Sequence, residues 1–404
     1  MSSSTSAPTA DTREIISVIA AGAALLLVVH TLGRFIFTPM LPYLIDDGVV
    51  TAQQGAAMAT WNYLGYFVGA MLAIRWYRVS HIRRILPIAM IVHVVTTLLQ
   101  TQISDVVALD VIRGINGVAN GAVFVQAPAF ILEWLVLRNR ARLSGLTYLG
   151  VGVGLLVSSM LVSATGSWLS GPSLWWPAAI VSIPLAVWGW HRLSRLEVPV
   201  RPEKPDGSLP QKGSLLDRAS IPLFLQYAGA GLGYILPMTF LPLLAKLQLD
   251  PGNWLVDGSW LLVALGTIPS AWLWNTLGAR LGDVKAIRIN FAVQLFGVLA
   301  AVIWGGPVGI ALCALLVGGT FLGTVLLTQR LARALHPHQG PRLSAAMVAL
   351  YALAQMIGPW LAEQWLNHGG TLESAFWIGV GALAWGLAFA FFVPRPEDWH
   401  RRPA

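Results

Sequence analysis

Residues 15–45 read IISVIAAGAALLLVVHTLGRFIFTPMLPYLI, and residues 220–244 read SIPLFLQYAGAGLGYILPMTFLPLL. Each run is long enough to cross ~30 Å of hydrocarbon as a helix. A shift of 200 positions lays Leu32-Gly33 on Leu232-Gly233, and Leu41-Pro42-Tyr43-Leu44 on Leu241-Pro242-Leu243-Leu244. The same shift carries Arg142-Leu143-Ser144 onto Arg342-Leu343-Ser344. Two well-separated matches in one register indicate an internal repeat.

Ten further apolar segments accompany these two, at about 52–76, 85–103, 106–132, 144–165 and 173–191 in the first repeat, and 254–277, 287–304, 307–332, 343–365 and 372–393 in the second. The expectation is an all-α membrane protein of twelve transmembrane helices. Residues 1–14 are a polar tail, 15–192 and 220–394 two six-helix bundles, 193–219 a linker with four prolines and several charges, and 395–404 a second tail. Composition agrees: 56% of residues are hydrophobic and 11% charged, against about 25% charged in soluble domains. Forty glycines and eighteen tryptophans suit close helix packing and headgroup-level anchoring. The first apolar segment lacks a cleavage signature and is too long for a signal peptide, so it reads as a span.

The net charge of +8 first suggests nucleic acid, but its distribution does not. With the N-terminus cytoplasmic, 23 of the 26 Lys and Arg residues fall on the inner side and only Lys246 on the outer. That bias orients the chain with both termini inside, and the basic charge becomes a topology signal with no nucleic-acid partner implied. The lone cysteine, Cys313, excludes an internal disulfide and a cysteine-based metal site. Metalloprotease, nucleophile-elbow and phosphate-loop motifs are absent, so neither an enzyme nor a bound cofactor is expected. ATP-driven transport would require a partner subunit.

Several motifs carry a family resemblance. They are Gly33-Arg34-Phe35 with Pro42 in span one, Asn62-Tyr63-Leu64-Gly65-Tyr66 with Gly69 in span two, and Arg113-Gly114-Ile115-Asn116-Gly117 in span four. Gly145 with Gly150-Val151-Gly152-Val153-Gly154 lies in span five, with Gly318-Gly319-Thr320-Phe321 and Gln355-Met356-Ile357-Gly358-Pro359 in the second half. Over about 15–393 the chain resembles the major facilitator superfamily, and within it the YbfB/YjiJ group. That resemblance implies two pseudo-symmetric six-helix bundles with a solute site between them, a monomeric unit, and residence in a bacterial inner membrane. One departure stands out: the loop between spans two and three usually carries an aspartate in this superfamily, yet residues 69–84 contain no acid.

Charges inside spans are the leading site candidates, because each costs at least ~2.5–3.5 kcal/mol at a helix centre. Arg34 and Arg113 both fall in the outer half of their spans, and the resemblance places spans one and four on the central cavity. Two guanidiniums there would attract a carboxylate or phosphate. Against this, Asp110 stands one turn before Arg113 and offers a neutralising i,i+3 partner. Asn116 and Asn120 share the Arg113 face, where cavity lining and a helix–helix hydrogen bond are equally open.

Asn62 and Tyr66 on span two, Gln226 and Tyr234 on span seven, Thr320 on span ten, and Tyr351 and Gln355 on span eleven complete the candidate substrate set. The threonine stripe 320, 324, 328 has an alternative use in bonding its own backbone. No acid occupies the middle of any span, so His30, one turn before Arg34, is the proton-coupling candidate; the alternative is a packing hydrogen bond. The function expected is secondary transport of a small organic anion across the bilayer. Export of apolar or cationic compounds, and a non-transporting receptor or scaffold, are the alternatives.

Overall fold

The computed structural model describes residues 11–76, 78–198, 215–336 and 340–400. Most of the expected linker 193–219, and residues 1–10 and 401–404 of the tails, therefore lie outside the described residues. Among those described, twelve helices are long and apolar enough to span a membrane. They are α1 Thr12–Asp46, α2 Ala52–Arg75, α3 Val79–Gln100, α4 Val106–Val136, α5 Ala141–Thr165 and α6 Gly171–Ser194, then α7 Ser220–Gln248, α8 Leu255–Leu281, α9 Asp283–Ile303, α10 Gly306–Leu335, α11 Leu343–Asn367 and α12 Leu372–Ala390. A short α13, Pro396–His400, follows.

The first N–H groups of a helix have no intrahelical acceptor, and side chains at the helix starts supply one. Thr51 and Gln54 form a reciprocal capping box at the start of α2, and Thr371 with Ser374 does the same for α12. The Asp105 carboxylate accepts from Ala108 N at 2.8 Å to open α4. Asp217 accepts from Ala219 N and Ser220 N at 2.9 and 2.8 Å to open α7. These caps explain why polar residues punctuate the apolar runs where they do.

Glycines set the closest helix contacts. A β-carbon at Gly65 would sit 2.0 Å from the Gly114 carbonyl oxygen, and one at Gly117 would sit 2.1 Å from that of Asn62. The α2–α4 backbones can approach this closely only without side chains there. Across the seam between the first six and last six helices, α1 packs on α7, α2 on α11 and α5 on α8. The most buried spans are α7 and α1; α3, α6 and α8 are the least buried. Ile88, Ile91, Val95 and Leu99 project outward along α3, an apolar face suited to lipid.

One feature of α1 has no counterpart in its sequence pattern. Between regular α-helical ends, residues Leu27–Phe35 form a π-helical segment. The Ile36 N–H bonds to Thr31 O, five residues back, at 2.7 Å. The matching stretch of α7 is regular α-helix. α5 also departs from a plain span, opening with a 3₁₀ segment over Ala141–Tyr148.

Polar contacts cross the seam in the half of the bundle remote from the termini. Thr38 Oγ1 donates to Met238 O at 2.7 Å, and Tyr63 and Thr239 hydroxyls meet at 2.9 Å. Tyr43 donates to Asp257 at 2.8 Å, Trp260 Nε1 to Ser158 at 3.1 Å, and Lys246 pairs with Asp46. Two of these contacts, 38 with 238 and 46 with 246, join residues at equivalent positions of the repeat.

Candidate substrate site

The π-helical segment of α1 carries both His30 and Arg34. Arg34 is 1% exposed, and its guanidinium carbon lies 4.0 Å from the centre of the Tyr63 ring, 4.5 Å from Tyr66 and 5.0 Å from Phe35. Ring faces are attractive to a cation and partly offset its desolvation. Nη2 donates to Gln355 Oε1 on α11, and Gln355 Nε2 donates to the Tyr234 hydroxyl on α7 at 2.8 Å. Positions 34 and 234 correspond in the repeat, so one glutamine ties the equivalent residues of both halves together. The remaining guanidinium nitrogens, Nε and Nη1, are buried without a hydrogen-bond partner.

His30 is 5% exposed and its ring stacks on Phe124 at 4.4 Å. Its Nδ1 is also buried without a hydrogen-bond partner. In the second half, Tyr234 lies parallel to Phe321 at 5.4 Å and to Tyr351 at 5.5 Å. The structure thus brings His30, Arg34, Tyr66, Tyr234, Tyr351 and Gln355 together at the seam. Phe35, Phe124 and Phe321 belong to the same cluster and escape sequence reasoning, since phenylalanines in a membrane span ordinarily signal packing. A pointer exists only for Phe35 and Phe321, which sit inside the family-like motifs.

The other candidates lie within the halves. Arg113 is packed between Phe37 and Trp175, at 4.5 and 5.2 Å from the ring centres. Nη1 reaches Gly33 O and Gln100 Oε1, each at 3.4 Å. Asp110, the alternative partner, makes no ion pair with Arg113 within 4.0 Å, and Asp110 Oδ1 has no hydrogen-bond partner. The guanidinium instead reaches across to α1, α3 and α6, while Asp110 is half-buried. Asn120 Oδ1 lies 2.9 Å from His93 Nδ1, and Asn120 Nδ2 donates to Asn116 Oδ1 at 2.8 Å. Asn116 in turn donates to Thr96 Oγ1 at 2.8 Å, so this network joins α3 to α4. Asn62 donates to Arg113 O at 2.9 Å and joins α2 to α4.

The second half has its own internal pairs. Asn290 Nδ2 donates to Thr320 O at 3.0 Å, and Thr324 Oγ1 donates to Asn290 Oδ1. Thr320 Oγ1 bonds back to Leu316 O, and Gln226 donates to Thr328 at 3.1 Å. For Thr320 the backbone-bonding alternative is the one the geometry displays.

Two six-helix groups meeting at a seam with one cation buried between them define a membrane transporter rather than an enzyme. Residues 26–391 match the family model described as uncharacterised MFS-type transporter YbfB, and the chain belongs to that family. No curated protein matches it. Among solved structures it is similar to the nucleoside transporter NupG in a mutant form, with a TM-score of 0.67 and 15% identity over 94% of this chain and 100% of that one. It is also similar to a D-xylose-proton symporter, with a TM-score of 0.71 and 15% identity over 96% of this chain and 99% of the other. At this identity the two structures speak for the fold alone.

Proposed function

We propose that this secondary transporter carries a small organic anion by alternating access, with Arg34 as its electrostatic anchor. The carrying observation is a buried guanidinium at the seam, bonded across it to Gln355, with two nitrogens free of hydrogen-bond partners. An unneutralised buried cation is costly, and an anion supplies the missing charge and acceptors. The contacts remote from the termini act as the gate that opens when the halves rock. We place the chain in a bacterial inner membrane as a monomer with both termini cytoplasmic, on the strength of the Lys/Arg distribution and the presence of both halves in one chain.

Arg34→Gln keeps a hydrogen-bonding side chain and removes the charge. Uptake of organic anions into proteoliposomes should fall about 10- to 100-fold, the equivalent of one or two charge-assisted hydrogen bonds. Unchanged uptake and an unchanged Michaelis constant would sink the anion reading. Export of cationic compounds receives no support from the cluster, because its cation position is already filled by the protein's own guanidinium.

A further inference from the structure

We infer that the anion is aromatic: a planar ring bearing a carboxylate, its charge on Arg34 and its ring against the stacked side chains at the seam. The inference rests on the anion reading above and adds the chemistry of the rest of the ligand. Around Arg34 the two halves present flat faces. In the first half, His30 lies nearly parallel to Phe124, and Phe124 meets Tyr148 edge-on at 5.8 Å. In the second, Tyr234 is parallel to both Phe321 and Tyr351, with interplanar angles of 7° and 16°. Tyr351 continues the stack onto Tyr227 at 4.4 Å and 22°.

These rings form two series that begin beside Arg34 and descend towards the terminal side. α1, α7 and α11 each place their ring nearer that side than Arg34 or Gln355: His30 before Arg34, Tyr227 before Tyr234, Tyr351 before Gln355. When the halves part, a solute leaving Arg34 towards the termini would meet these rings. Aromatic pairs favour offset or edge contacts at about 4.5–7 Å, and such contacts add affinity beyond simple apolar burial. A saturated ring of equal size gains the burial and loses that addition. A neutral aromatic amide can accept a hydrogen bond from Nε or Nη1 of Arg34, but it leaves the buried positive charge unneutralised.

The test is ligand-dependent thermal stabilisation of the purified full-length protein. Benzoate and phenylacetate are compared with cyclohexanecarboxylate, cyclohexylacetate and benzamide. The aromatic acids should stabilise at about 10-fold lower concentration than their saturated counterparts, and benzamide should need about 10-fold more than benzoate. Equal potency of aromatic and saturated acids overturns the aromatic inference and leaves the anion reading standing. Equal potency of benzamide and benzoate overturns the anion reading and this inference with it. No stabilisation by any acid also overturns the inference. Phe124→Leu and Tyr351→Leu should each bring the aromatic-to-saturated ratio towards one. That ratio is internal to each variant and does not depend on yield; if it survives in both, the rings are not its source and the inference fails.

Discussion

Helices α1 and α7 occupy equivalent places in the repeat and share the Leu-Gly and Leu-Pro landmarks, yet they solve different problems. α1 is wound as a π-helix where it carries His30 and Arg34, whereas α7 is α-helical and offers a neutral tyrosine at position 234. The difference extends to the whole halves. The first half buries two guanidiniums and two imidazoles besides amides and hydroxyls; among the described residues of the second, the buried polar side chains are amides and hydroxyls. A duplicated scaffold has kept its packing and divided its chemistry. One half holds the charge; the other supplies the bridging Gln355, and both supply stacked rings.

Exchanging the residues is the harshest way to break this comparison. The double variant Arg34→Tyr with Tyr234→Arg keeps composition and moves the cation to the regular helix. Uptake should remain about 10- to 100-fold below wild type. Recovery to wild-type rates would show that either half can hold the charge, and the π-helical winding would lose its importance.

Packing should prove symmetric where chemistry is not. Gly65→Ala and Gly318→Ala each place a methyl against a backbone carbonyl, at 2.0 and 2.2 Å in the present geometry. Both should destabilise by about 1–3 kcal/mol as overpacking does, seen as lower Tm. A loss confined to one half would contradict the shared scaffold.

A subtler comparison sets Asn120→Ala against Asn290→Ala. The first takes one partner from His93 Nδ1 and the donor from Asn116 Oδ1; the second takes one partner each from Thr320 O and Thr324, which keep their bond to each other. Each should cost about 0.5–2 kcal/mol, the net worth of a buried hydrogen bond or somewhat more. Transport by the surviving protein should persist in both. Selective loss of anion uptake in Asn120→Ala would return that residue to the substrate site. The smallest effect belongs to Asp46→Asn. Its pair with Lys246 is 62% and 31% exposed, so stability should change by about 0–1 kcal/mol. A larger drop in Tm would mean that the seam leans on this ion pair.

Much of this fold was legible because a bilayer constrains sequence so strongly. Apolar run length located the spans, since only helices of that length satisfy their backbone in lipid. Arg34 was legible for the same reason: a cation inside an apolar run has few structural excuses. Its partner was not, because Gln355 stands 321 residues away and spacing along one helix does not say which distant helix it meets. Arg113 shows the same limit. Its face could be drawn, but only tertiary packing could aim it at Phe37 and Trp175 rather than at the seam. The π-helical winding of α1 left no mark at all, since neither composition nor periodicity distinguishes an added backbone residue within a membrane span.

The contact between residues 46 and 246 requires that the two halves differ in sequence. In a dimer of two identical chains, a residue on the symmetry axis faces its own copy. Aspartate would then oppose aspartate, or lysine oppose lysine, and an attractive pair at that spot is impossible. Two halves carried in one chain are free of that self-matching, so opposite charges can meet there. The Asp46–Lys246 bridge is a bond that two identical halves could not form at that spot.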